Sequence, residues 1–167
     1  PEGPFGEFTG YYGPQRWSPV VKIKAITHRK NPIFLNILCG HPDTWLLGGI
    51  AKEACLYEEL RRVCPGVTAV HLPTTGTCRF HAYVAIKQRF NGEAKVAGIA
   101  TIPHHDIVKH IVVVDDDIDP FDEKQVLWAI ATRVQADKDV TIIPNCRGGL
   151  LDPSSVIEGI GAKMVID

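Results

Sequence analysis

From residue 41 onward the apolar positions follow two alternating periods. Leu46, Leu47, Ile50, Ala54, Leu56, Tyr57 and Leu60 recur at helical spacing, and Cys64-Pro65-Gly66 stops the run. That pattern predicts a helix over 45–63, with Asp43 or Thr44 placed to cap it. Short β-branched and aromatic runs predict strands over 67–72 and 80–87. Residues 94–105 fit either a helix or a strand on their own pattern. Ile111, Val112, Val113 and Val114 are apolar in a row, the mark of a strand buried on both faces. A helix over 123–134 and a strand over 140–143 follow. Strands alternating with helices predict an α/β layer structure for 41–167.

Residues 1–40 obey a different pattern. Positions 1–18 are rich in Gly, Pro and aromatics and read as loop and turn. Over 20–26, Val20, Lys22 and Lys24 alternate with Val21, Ile23 and Ala25, which predicts a strand with one wet face. A turn at 28–32 and a more apolar strand over 33–38 complete a predicted hairpin. A lone hairpin is marginal in water. Residues 41–167 are therefore expected to fold alone, and 1–40 to need another surface to dock on.

The chemistry concentrates in Glu2-Gly3-Pro4-Phe5-Gly6-Glu7. Two carboxylates stand five residues apart in a stretch that cannot be helical. An extended strand would place them on opposite faces, but the Gly-Pro step between them can turn both inward. Two carboxylates held close cannot both ionise freely, so such a pair can offer a proton at neutral pH. On spacing alone, a surface loop with two solvated acids is the plainer reading.

The wording of the segment goes further. Glu2-Gly3-Pro4-Phe5-Gly6-Glu7-Phe8-Thr9-Gly10-Tyr11-Tyr12 closely resembles the glutamate segment of the UbiD-type decarboxylases, which use prenylated flavin mononucleotide. The resemblance continues in order through Val112-Val113-Val114-Asp115-Asp116-Asp117-Ile118-Asp119-Pro120 and Val126-Leu127-Trp128-Ala129-Ile130-Ala131-Thr132-Arg133. It ends with Leu151-Asp152-Pro153-Ser154 and Gly161-Ala162-Lys163-Met164. It implies a C-terminal three-layer α/β domain at 41–167, with 94–105 helical. Residues 1–40 would be the end of a split β-barrel flavin-binding domain carrying the two-glutamate motif.

By the same resemblance, Glu7 is the proton donor to the carbon that loses carbon dioxide, and Glu2 pairs with an arginine. Lys109 takes the place of a lysine near the cofactor phosphate; a solvated lysine is the plain alternative. Leu46, Leu47, Gly149 and Leu151 fall in regions that approach the substrate ring. Arg147 suits a substrate carboxylate, or belongs to a simple turn. The implied activity is reversible decarboxylation of aromatic, heteroaromatic or α,β-unsaturated acids. Prenylated FMN is the expected cofactor, with manganese or magnesium and potassium held by ligands upstream of Pro1. The chain is thus expected to be a piece of a longer enzyme, inactive without its N-terminal half and built into a homo-oligomer. A second reading makes it an assembly domain that packs through 123–134 and 151–167.

Composition narrows the rest. Hydrophobic residues make up 45%, charged residues 22%, and the formal net charge is −1. No basic face argues for nucleic acid, and no apolar run is long enough for a membrane span. The five cysteines form no CxxC pair, which argues against structural zinc and fits a reducing cytoplasm. The acids at 115–119 could hold a hard cation, or could cap helices and loops. His104, His105, Asp106 and His110 form a metal or acid/base candidate whose plainer reading is surface histidine at a helix end. No metal site is assigned to either group.

Overall fold

The computed structural model describes residues 1–105 and 107–167, so Asp106 of the histidine candidate lies outside the described residues. Helix α1 spans Pro42–Val63, strand β1 Val67–His71, and strand β2 His81–Ile86, with a short 3-10 turn at Thr74–Gly76 between the two strands. Helix α2 (Glu93–His104), strand β3 (His110–Asp115) and helix α3 (Glu123–Arg133) follow. The chain closes with the short helix α4 (Ala136–Asp139), strand β4 (Val140–Arg147) and strand β5 (Ile160–Ile166). The strands form one sheet in the order β1-β2-β3-β5-β4. The inner pairs β2/β3 and β3/β5 are parallel, and the outer pairs β1/β2 and β4/β5 are antiparallel.

Alternation along β2 and β3 sorts side chains between two cores. Ala82, Val84, Ile86, Ile111 and Val113 pack with Leu56 and Leu60 of α1 and Ala97 of α2. Tyr83, Ala85, Val112 and Val114 pack on the other face with Val126 and Ala129 of α3. Helices on both faces of the sheet make three layers, as the alternation predicts. Helix α1 starts earlier than its apolar period suggests. Pro42 occupies the first turn, and the His41 ring, not Asp43 or Thr44, accepts from the Asp43 N–H at 3.4 Å. The ambiguous 94–105 segment is α2, pressed onto β5 through Gly98. A Cβ there would lie 2.4 Å from Val165 Cγ1.

β5 is the element the apolar pattern does not predict, and it sits inside the sheet. Lys163 stands in the middle of it with 1% exposure, and its ammonium donates to the Val108 carbonyl. The Met164 N–H donates to the Lys109 carbonyl at 2.8 Å. Lys163 and Val165 are therefore core, whereas Val156, Ile157 and Ile160 of the 151–167 segment stay exposed.

Two expectations for 1–40 are corrected. The segments at 20–26 and 33–38 form no ladder in this chain: Val20 is 95% exposed and Phe34 88%. Their alternation encodes a strand, but no partner edge is within reach. Residues 1–16, by contrast, dock on the α/β layers of their own chain. The Trp45 indole N–H donates to the Phe8 carbonyl at 2.8 Å. The Phe8 ring lies 5.7 Å from the Phe80 ring and has the Arg79 guanidinium 4.6 Å above it. No described helix is long and apolar enough to cross a membrane.

Candidate active site

Bridges pairing Glu2 with Arg16 and Gly6 with Tyr12 fold residues 2–16 into a tight antiparallel turn. The Glu2 N–H donates to the Arg16 carbonyl at 2.7 Å, and the Arg16 N–H donates to the Glu2 carbonyl at 2.9 Å. At the tip, the Gly10 N–H donates to the Glu7 carbonyl at 3.0 Å. Gly10 holds φ +81°, where a side chain would be strained. This turn carries both carboxylates to one cavity of about 600 Å³. Phe5, Phe8, Ile107 and Leu150 give it apolar walls, and Arg147, Gly148, Gly149 and Leu151 line the side formed by the β4–β5 loop.

Glu2 and Glu7 differ in their settings. Glu2 is exposed, and its carboxylate accepts a hydrogen bond from the Ser18 hydroxyl. Glu7 is half-buried against Gly13. A Cβ at Gly13 would lie 3.0 Å from Glu7 Cγ and 3.2 Å from Oε1. Glycine at 13 is thus what lets the Glu7 side chain lie where it does.

Of the residues expected at the site, Glu2, Glu7, Gly149 and Leu151 share the cavity, and Arg147 joins them. Leu46 and Leu47 do not: they are 43% and 72% exposed on α1 and line no part of it. Lys109 is also elsewhere. Its ammonium lies 2.8 and 3.0 Å from the two Asp152 carboxylate oxygens and 2.7 Å from Ser154 Oγ, and 5.2 Å above the Phe80 ring. It clamps the β4–β5 loop to the sheet. Burial works against the Asp152 carboxylate, but the Lys109 and Ser154 hydrogen bonds outweigh it and hold its pKa below the ordinary range.

Arg16 and Ser18 also line the cavity, and the sequence around them does not single them out as site residues. The signal for them is the Glu2-to-Arg16 pairing across a Gly-rich turn. That pairing becomes visible only when 2–16 is read as one folded unit.

The other candidates resolve locally. Asp117 pairs with Arg133 at 2.6 Å, Asp119 accepts from the Phe121 N–H at 2.9 Å, and Asp122 caps α3 through the Lys124 N–H. The acidic run therefore serves helix and loop. His104 is exposed, but His105 is buried, against the surface position expected of it. His110 points to His81 instead: the two Nδ1 atoms are 3.2 Å apart and the rings stack at 5.0 Å. Tyr83 and Thr75 donate to Glu123 Oε1 at 2.7 and 2.6 Å on the same face of the sheet. Burial works against the Glu123 carboxylate, but these bonds outweigh it and keep its pKa below the ordinary range.

A three-layer α/β domain with two carboxylates presented on a Gly-Pro turn defines a carboxylate-bearing enzyme cavity. Comparison with known proteins gives the class. The model of the 3-octaprenyl-4-hydroxybenzoate carboxy-lyase C-terminal domain matches residues 45–167, and that of the Rift-related domain of the same enzymes matches 1–42. The chain belongs to the 3-octaprenyl-4-hydroxybenzoate carboxy-lyase family, the UbiD-type enzymes.

Among its relatives, the anhydromevalonate phosphate decarboxylase of Methanosarcina mazei is 42% identical over 166 residues, covering 99% of this chain and 39% of that protein. The phenolic acid decarboxylase of Sedimentibacter hydroxybenzoicus is 43% identical over 173 residues, covering 99% of this chain and 35% of that protein. The structure of the UbiD-class enzyme HmfF from Pelotomaculum thermopropionicum, in complex with FMN, superposes with a TM-score of 0.94 at 47% identity. It is covered to 37% by 99% of this chain. The vanillic acid decarboxylase of Sedimentibacter hydroxybenzoicus in closed form gives 0.88 at 42% identity, with 99% of this chain and 36% of that one covered. The chain thus spans less than two fifths of the length of these relatives.

Proposed function

We propose that this chain supplies the two-glutamate half of a prenylated-FMN-dependent carboxy-lyase acting on an aromatic, heteroaromatic or α,β-unsaturated acid. The observation that carries the reading is that Glu2 and Glu7, five residues apart, line one cavity with apolar walls and two arginines, Arg16 and Arg147. A cavity of about 600 Å³ with Phe5 and Phe8 on one side and Gly148 and Gly149 on the other fits a flat ring system and a small acid. When bound, the prenylated flavin supplies the electron sink for loss of carbon dioxide. Glu7, half-buried and oriented by Gly13, holds the proton that replaces the carboxylate on carbon. Glu2, tied to Ser18 and through its backbone to Arg16, keeps the turn in register. The phosphate of the cofactor, a manganese or magnesium ion and potassium are assigned to residues beyond this chain. The five thiols are unpaired, in keeping with a reducing, cytoplasmic setting.

Exchange of Glu7 for Gln tests the reading, because it keeps shape and removes the proton. In a flavin-loaded protein carrying this chain, Glu7→Gln is expected to lower kcat by about 10²–10⁴. Turnover within about threefold of wild type rejects the assignment.

The assembly reading keeps one specific support. Leu127 and Trp128 on the outer face of α3 are 56% and 53% exposed. Sedimentation of the flavin-free chain tests it, since packing through α3 needs no cofactor.

A further inference from the structure

Arg16 stands between two cavities. The first is the one Glu2 and Glu7 line; the second, of about 280 Å³, lies beside it against Ser155 and Glu158. Glu7, Gly13, Pro14, Arg16, Leu150 and Leu151 border both. The Arg16 backbone is locked to Glu2 in both directions. Its guanidinium crosses to the β4–β5 loop, where Nη2, itself buried, lies 2.6 Å from Glu158 Oε1. Next to Glu158, the Gly159 carbonyl accepts the Gly148 N–H at 2.9 Å and closes the base of the loop. The far side of the loop is fixed separately, by Lys109 on Asp152. Ser155 Oγ borders the second cavity and is buried with no partner among the described residues, so that cavity offers a polar group an unmet hydroxyl.

We propose that Arg16 is a positioning residue. Through Glu158 it holds the 148–159 loop at the boundary of the two cavities, so that Leu150 and Leu151 stay on the wall that the two cavities share with Glu7. Release of the pair loosens that wall and weakens the hold of the cavity on a small carboxylic acid. The identity of the bound acid rests on the carboxy-lyase reading; the coupling of Arg16 to the loop does not.

The strength of the contact suits this role. The two side chains are 36% and 56% exposed, and an ion pair so placed shifts an equilibrium by about 1.5- to 5-fold. That biases the loop toward this position without locking it.

Hydrogen exchange on the chain itself reads the coupling. The reporters are the amides of Gly148, Asp152, Ser155 and Ile160, each bonded within the loop. Arg16→Gln and Glu158→Gln should each speed their exchange by about 1.5- to 5-fold, and the double variant should add nothing further. Amides of β3 should not change, and the charge-swapped pair Arg16→Glu with Glu158→Arg should restore protection. Wild type in 1 M salt should approach the single variants, since the Debye length falls to about 3 Å. Unchanged loop amides, multiplying effects in the double variant, or an equal rise across β3 would each overturn the proposal.

In a flavin-loaded protein carrying the chain, Glu158→Gln should raise KM by a similar factor and hold kcat within about twofold. A fall in kcat with unchanged KM would count against positioning. If the amides couple but Glu7→Gln is without effect on turnover, the loop coupling stands and the carboxy-lyase reading falls.

Discussion

Acid should destabilise this chain through the His81–His110 pair well before its carboxylates titrate. Burial lowers the pKa of His110 to about 4, helped by the neighbouring His81 and by Lys109, with Asp152 opposing. Burial lowers His81 too, with Glu123 opposing and Lys109 adding to the shift. At 3.2 Å between Nδ1 atoms, one neutral ring donates to the other; two protonated rings would set donor against donor. The unfolded chain takes up protons near pH 6.5, whereas the folded one resists until about 4. The stability this contributes is therefore complete above pH 6.5 and is lost as pH falls from there toward 4.

Between pH 7 and 5, a single ring shifted this far accounts for about 2 kcal/mol, or about 1–2 once partial solvent screening is allowed for. The carboxylates with lowered pKa values, Glu93, Asp117, Glu123 and Asp152, lose their contribution only at lower pH, so this window isolates the histidines. Urea unfolding at pH 7 and 5 measures the difference. His110→Asn keeps a hydrogen-bonding atom near Nδ1 and removes the titration, and should cut the loss by at least half. An undiminished loss in His110→Asn, or a His110 ring that titrates by NMR near 6.5, would refute the reasoning.

Two further perturbations probe the frame around the site. Gly98→Ala gains about 1 kcal/mol of helix propensity but places a methyl 2.4 Å from Val165 Cγ1 and 3.2 Å from Val113 Cγ2, both buried on strands. Overpacking costs about 1–3 kcal/mol, so the urea midpoint should fall at unchanged m-value, and a rise would show that α2 can lift off the sheet. Lys109→Met removes the cation that holds Asp152, so the Asp152 pKa should rise by carbon NMR. An unmoved Asp152 would mean that Ser154 alone fixes the loop.

Local pattern carried the layers well. Ile111 to Val114 read as a doubly buried strand because both faces of β3 are covered by helices. The period of α1 was plain for the same reason: one stripe, Leu56 and Leu60, faces the core. β5 was hidden by Lys163, a charge in mid-strand whose burial depends on the distant Val108 carbonyl. The segments at 20–26 and 33–38 show the converse: a strand pattern is a statement about a partner edge, and none is present here.

At the site, Glu2 and Glu7 were legible because a Gly-Pro turn restricts where short segments can go. Arg16 was not, because its meaning depends on a loop more than 130 residues away in sequence. Lys109 was noticed for its charge, but its partner, Asp152, is set by the sheet register and not by spacing.

We propose that the Glu2–Glu7 cavity is where an acid loses carbon dioxide and its carbon is protonated. Turnover in D₂O by a flavin-loaded protein carrying this chain tests it most directly. Carbon dioxide release from an aromatic or α,β-unsaturated acid is expected, with one deuterium at the vacated carbon. Glu7→Gln should lower the rate of that deuteration by about 10²–10⁴. Deuterium delivered to the same carbon at the wild-type rate by Glu7→Gln would contradict it.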